Sequence, residues 1–135
     1  MRQITEIIVH CTATREGVDI GASEIDRYHR KRGFDSIGYH YVVRLDGRIE
    51  KGRDETTSGA HCLGHNMKSV GVAYVGGLDT KGNPKDTRTD AQKRSMLSLL
   101  TDLRRRYPEA KIYGHRDFAA KACPCFDATK EYAHL

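Results

Sequence analysis

The chain has 135 residues, 38% hydrophobic and 30% charged, the composition of one ordinary globular domain rather than of a disordered or membrane-embedded chain. No apolar run approaches the roughly 20 residues of a spanning helix. The formal charge of +5 favours an anionic partner, whether nucleic acid, an acidic membrane surface or a bacterial wall, without choosing among them.

From the amino terminus, Met1 to Glu6 holds charged Arg2 and Glu6 around a single Ile4 and lacks the apolar stretch of a secretory signal. The expectation is synthesis in the cytoplasm and action elsewhere after release or delivery. Ile4 to Val9 is β-branched and ends at His10, which predicts a buried strand delivering a histidine at its carboxyl end. A polar loop from Cys11 to Gly21 follows. Ser23 reads as a helix cap, Ile25, Tyr28, His29 and Arg32 recur at helical spacing, and Gly33 fits the stop. Tyr39 to Arg44 and Arg48 to Lys51, joined through Asp46-Gly47, predict a β-hairpin.

Residues 54–68 lack periodicity and hold His61 and His65, a loop long enough to suspect a function. Ser69 to Val75 is another apolar strand, stopped by Gly76-Gly77. Thr89 and Gln92 form a capping-box pair for the longest helix, with Met96, Leu100, Leu103 and Tyr107 on one face and Pro108 closing it. The cations Arg104, Arg105 and Arg106 complement the dipole of that helix end. Lys111 to Gly114 predicts a short strand ending at His115, and a last helical turn starts near Ala128. Strands interleaved with helices argue for an α/β fold, residues 1–135 forming a single domain with a mixed central β-sheet flanked by helices.

Two histidines thus stand directly after strand-like segments, and Cys123 lies eight residues beyond His115. If the two strands are neighbours, His10, His115 and Cys123 meet at one rim. Two imidazoles and a thiolate suit Zn2+ and leave a fourth position for water, the arrangement of catalytic zinc sites. Taken singly, each histidine has a structural reading, and Cys123 with His115 also suggests a cysteine hydrolase. The four cysteines, Cys11, Cys62, Cys123 and Cys125, allow three full disulfide pairings in a secreted chain. In a reducing compartment they are ligands, nucleophiles or small buried hydrophobes. Strand alternation turns Cys11 away from His10 and His40 away from Tyr39, which gives both packing roles.

Several fragments occur together in one order and spacing: Val9-His10-Cys11-Thr12-Ala13-Thr14, Ile37-Gly38-Tyr39-His40-Tyr41, Asp46-Gly47, Gly52-Arg53, His61, Gly64, Asn66, Ser69-Val70-Gly71-Val72, Val75-Gly76-Gly77, Gly114-His115-Arg116-Asp117 and Lys121-Ala122-Cys123-Pro124. In this the sequence resembles the type 2 N-acetylmuramoyl-L-alanine amidases, above all their short phage lysozymes, and more distantly the peptidoglycan recognition proteins. The resemblance implies a peptidoglycan-recognition/amidase-like fold. It implies zinc-dependent hydrolysis of the amide between N-acetylmuramic acid and L-alanine in peptidoglycan, with His10, His115 and Cys123 as zinc ligands. Tyr39 and Lys121 are the implied catalytic helpers, Lys121 facing the oxyanion and Tyr39 orienting water or assisting proton transfer. By the same resemblance His61 and Asn66 touch the peptide stem. Cys125 departs from the family pattern and suggests ligand exchange or a disulfide with Cys123. Asp117 is expected either to orient His115 or to cap its loop.

The implied partner is the glycan strand with its peptide stem, met by a monomer without membrane insertion. The competing reading within the fold is a non-catalytic peptidoglycan-binding or regulatory module, against which Cys123, Tyr39 and Lys121 speak. A nucleic-acid or polymerase-binding regulator is the other class. The basic residues are scattered, with no aromatic-interleaved basic motif to support it, and no nucleic acid is expected.

Overall fold

The computed structural model describes residues 2–135. In chain order its elements are β1 (Glu6–Cys11), β2 (Thr14–Arg15), α1 (Ala22–Lys31), β3 (Tyr41–Val43), β4 (Ile49–Lys51), β5 (Ser69–Tyr74), β6 (Gly77–Leu78), α2 (Asp90–Arg106), β7 (Lys111–Gly114) and α3 (Ala128–Glu131). Five strands form the main sheet in the order β4-β3-β5-β1-β7. All neighbours are parallel except the β3–β4 hairpin. The mixed sheet flanked by helices is therefore the observed architecture.

Side-chain alternation divides the sheet between its two covers. Ile7, Val9 and Cys11 of β1 and Val70, Val72 and Tyr74 of β5 pack with Met96, Leu99, Leu100 and Leu103 of α2 in the larger core. On the other face Val42 packs with Ile25 of α1, Ile37 and Val75. β1 lies between β5 and β7 and is apolar on both sides, as a central parallel strand must be. It runs through His10 to Cys11 rather than ending before the histidine, because Cys11 still pairs with Tyr74 of β5.

The capping box of α2 forms as its sequence predicts. Thr89 Oγ1 accepts from the Gln92 amide at 3.0 Å, and the Thr89 amide donates to Gln92 Oε1 at 2.9 Å. Gln92 is fully buried and its Nε2 also donates to the carbonyls of Val43 and Val75, tying the helix to the sheet. At the far end Arg104 donates to the carbonyls of Pro108 and Ala110, and Arg106 pairs with Glu55 at 2.7 Å. The arginine cluster thus serves the helix terminus and its surroundings.

Helix α1 does not start at Ser23. Its cap is Gly21, whose amide donates to Glu24 Oε2 at 3.0 Å, while the Ala22 amide donates to Glu50 Oε1 at 2.9 Å. A Cβ at Gly21 would meet Glu50 Oε1 at 2.5 Å. A carboxylate brought in from β4 therefore replaces the local serine cap. The expected polar loop after Cys11 also contains β2, which pairs in parallel with β6 as a separate two-stranded ribbon. Two-residue strands are too short to leave a periodic signal. Among the described residues no helix is long and apolar enough to cross a membrane.

Gln92→Leu removes the donors to Val43 and Val75 and half of the capping box while keeping an apolar side chain of similar size. Chemical denaturation should register a loss of about 1–3 kcal/mol. An unchanged midpoint would mean that these buried bonds contribute nothing net.

Candidate metal centre

In the β1–β7 register Val9 stands opposite Gly114. The residues that follow, His10 and His115, therefore emerge together at one rim, with ring centroids 4.6 Å apart. The third donor arrives on the irregular segment after His115. The Arg116 amide donates to the Cys123 carbonyl at 2.8 Å, and the Tyr74 hydroxyl donates to the Pro124 carbonyl at 2.7 Å. Gly114 permits this approach, since a Cβ there would meet Pro124 Cδ at 2.9 Å.

One donor atom from each of His10, His115 and Cys123 lies within 4.8 Å of the other two, a cluster able to hold a metal ion. Cys123 Sγ is 3.9 Å from His10 Nδ1. Two nitrogens about 2.0 Å and one sulfur about 2.3 Å from a tetrahedral zinc lie roughly 3.3–3.5 Å apart, so modest closure suffices. The donor chemistry fits the same ion.

Electrostatics prepare all three groups. Burial, then the charges of His61, His115 and Lys121, push His10 well below its ordinary value. Burial followed by the Lys121 charge lowers His115. The Cys123 thiol is lowered as well, first by hydrogen bonding to the Cys11 side chain, then by the Cys11 backbone amide and Lys121, against the effect of burial. Neutral imidazoles and an accessible thiolate are the forms a metal binds.

Cys125 belongs to a different environment. Its residue has φ of 70°, and its Sγ lies 4.0 Å from Cys11 Sγ and 3.2 Å from the Gly77 carbonyl. All four cysteines are free. Cys123, not Cys125, is the sulfur of the three-residue cluster.

The cluster opens into a cavity of about 790 Å³ whose wall includes Tyr28, Tyr39, Phe118 and Lys121. Tyr39 stands two residues before β3 with its ring 5.2 Å from that of His10, and burial raises its hydroxyl pKa. Lys121 is exposed on the cavity wall. His61 and Asn66 also line it, with Asn66 Oδ1 accepting from the His61 and Cys62 amides at 2.9 and 3.0 Å and both His61 ring nitrogens bonded to protein groups. His40 Nδ1 accepts from the Gly71 amide at 3.0 Å, a packing role. Asp117 accepts from the Gly114 amide at 2.9 Å and so caps the turn instead of orienting His115.

Sequence reasoning passed over Ser69, a fully buried serine whose Oγ meets His61 Nε2 at 3.1 Å. The available signal was a lone hydroxyl opening an apolar strand. It also passed over His29, which accepts from the Gly38 amide at 2.8 Å just behind the Tyr39 ring.

The sequence profile of the N-acetylmuramoyl-L-alanine amidase family matches residues 1–126. The chain belongs to this family. It is 44% identical over 126 residues to the endolysin of Klebsiella phage KP32, covering 93% of this chain and 83% of that protein. With the endolysin of Escherichia phage T7 it shares 43% over 121 residues, 90% of this chain and 80% of the other. Among solved structures, the N-acetylmuramoyl-L-alanine amidase LysC from Clostridium intestinale URNW superposes with a TM-score of 0.81 at 28% identity, over 96% of this chain and 82% of that one. The reaction of this amidase is hydrolysis of the amide between N-acetylmuramic acid and L-alanine in peptidoglycan.

The histidine environment sets a pH dependence in the metal-free amidase. Burial leads the lowering of His10, His29, His40, His61 and His115, with His61 brought to about 3. Below an unfolded value near 6.5 the unfolded chain takes up protons that the folded chain refuses, so stability falls as pH drops from about 6.5 toward 3. Buried His10 and His61 each contribute a slope of at most about 1.4 kcal/mol per pH unit. Denaturation midpoints at pH 7 and pH 5 check this, and equal midpoints would contradict it.

Proposed function

We propose that this amidase works through a single zinc ion held by His10, His115 and Cys123, with residues 1–135 acting as one catalytic domain and as a monomer. The observation that carries the reading is the convergence of two imidazoles and a thiol at the mouth of a cleft, all three biased by their surroundings toward the forms a metal binds. A zinc ion bound there supplies Lewis acidity, lowering the pKa of a coordinated water toward neutrality and polarising the amide carbonyl.

The chain's own residues divide the remaining work. Lys121 brings an ammonium to the cleft wall, and its charge already acts on His10, His115 and Cys123. That placement suits it to stabilise the oxyanion that develops on the attacked carbonyl. Tyr39, with its hydroxyl pKa raised by burial, is a poor proton acceptor at neutral pH and is assigned to orienting water and substrate. The peptide stem is proposed to run along the cavity wall that includes His61 and Asn66, with the His61 ring shaping that wall rather than hydrogen-bonding to the stem. The net charge of +5 draws the enzyme to the anionic wall, where it acts after release or delivery from the cytoplasm.

One observation favours a second reading. Cys123 Sγ lies 3.9 Å from His10 Nδ1, an approach that would also suit a cysteine nucleophile and its base. A chelator separates the two, since it abolishes zinc hydrolysis and spares a cysteine hydrolase.

Three variants assayed side by side test the assignment through zinc content, muropeptide binding and release of L-alanine-terminated peptides. Cys123→Ser should lose both zinc and turnover, because a neutral hydroxyl is a far poorer ligand than a thiolate. Cys125→Ser should keep both. Lys121→Ala should keep zinc and binding while its rate falls about a hundredfold to a thousandfold. Full activity in Lys121→Ala would return that residue to a solvated surface role. Zinc retained by Cys123→Ser and lost by Cys125→Ser would reassign the sulfur ligand.

A further inference from the structure

Behind the metal cluster lies a buried chain of polar side chains that the proposed mechanism does not use. His10 presents Nδ1 toward Cys123, and its other nitrogen, Nε2, is 2.7 Å from His61 Nδ1. His61 Nε2 in turn is 3.1 Å from Ser69 Oγ. His10, His61 and Ser69 are 1%, 9% and 0% exposed. The two imidazoles meet edge to face, with ring planes 88° apart.

The His61 ring is held where it is by the absence of side chains. A Cβ at Gly59 would come within 2.6 Å of the ring, and one at Gly71 within 2.7 Å. Asn66 fixes the backbone from the other end by accepting from the His61 amide at 2.9 Å. An imidazole confined on both flanks and bonded at both nitrogens cannot turn to meet a ligand in the cleft.

We infer that His61, backed by Ser69, is the positioning residue for His10, fixing both the orientation and the tautomer in which His10 offers Nδ1 to the metal. This rests on the zinc reading above. A neutral histidine ligates through the nitrogen that lacks a proton, so ligation through Nδ1 requires the proton on Nε2. In the metal-loaded protein the relay then has one direction. His10 Nε2–H donates to His61 Nδ1, and His61 Nε2–H donates to Ser69 Oγ. The reverse direction would place a proton on His10 Nδ1, facing Cys123, and block the ligand position.

Metal-bound histidines usually donate their second N–H to a carboxylate, a backbone carbonyl or water. A neutral imidazole in that place orients the ligand without adding negative charge beside the metal. The cationic character of the centre is therefore kept for the carbonyl that it must polarise.

Two measurements test the relay. In 15N-labelled, zinc-loaded protein, long-range 1H–15N spectra should find His61 protonated at Nε2 and bare at Nδ1, with the His10 proton on Nε2. Protonation of His61 at Nδ1 would overturn the assignment whether or not any variant folds. Separately, zinc affinity is measured by competition with a chromogenic chelator for wild type, His61→Ala, His61→Asn and Ser69→Ala. His61→Ala should bind zinc about 10–100-fold more weakly, the usual effect of losing such a partner. His61→Asn sets an amide oxygen where Nδ1 was and should recover to within about threefold of wild type, with Ser69→Ala falling between wild type and His61→Ala. Equal affinities for wild type and His61→Ala would sink the positioning role and leave the ligand set intact. A wild-type protein that takes up no zinc would instead sink the ligand set, and the relay with it.

Discussion

Everything at the centre depends on the parallel register of β1 with its neighbours. Val9 opposite Gly114 sends His10 and His115 out at one rim, and Val9 opposite Val72 sets the same strand against β5. A slip of one residue would turn His10 toward the α2 face and Cys11 toward the cleft, exchanging a candidate ligand for a packing residue. Burial on both faces makes that slip costly, because Ile7, Ile8 and Val9 are all fully buried. The hydrophobic pattern of one strand thus fixes the geometry of the chemistry, and the glycine at the end of β7 admits the segment that carries the sulfur.

The polar groups around the rim fall into two sets with opposite tendencies. His10, His115 and Cys123 are all biased toward their deprotonated forms. Cys11, Cys125 and Tyr39 are biased toward their protonated forms, mainly by burial for Cys125 and Tyr39 and by hydrogen bonding to Cys123 for Cys11. Lys121 adds positive charge that favours the first set. The separation distinguishes the candidate ligands from the packing cysteines that lie a few ångströms away, and it sets Cys125 apart from Cys123 although only two residues separate them.

Much of this was legible in the sequence because the signals were local. A run of β-branched residues ending in histidine, an Asp-Gly turn, and Thr89 with Gln92 at capping-box spacing each specify structure within a few residues. Family resemblance supplied the order and spacing of the remote pieces. The parts that escaped depend on partners far along the chain. Gly21 caps α1 because Glu50 reaches it from another strand, so the nearby Ser23 misled. β2 and β6 form only as a pair. The direction in which His61 points is set by Gly59, Gly71 and Ser69, and two glycines and a serine carry no sequence pattern that shows which way a neighbouring ring turns.

The central claim is that one zinc ion is held by two histidine nitrogens and one cysteine sulfur with a position left for water. X-ray absorption at the zinc edge of the purified, chelator-free protein tests it most directly. The account predicts one zinc per chain with a single sulfur at about 2.3 Å and nitrogen or oxygen neighbours at about 2.0–2.1 Å in four-coordination. A zinc shell without sulfur, a shell with two sulfurs, or protein that is fully active with no bound zinc would contradict it.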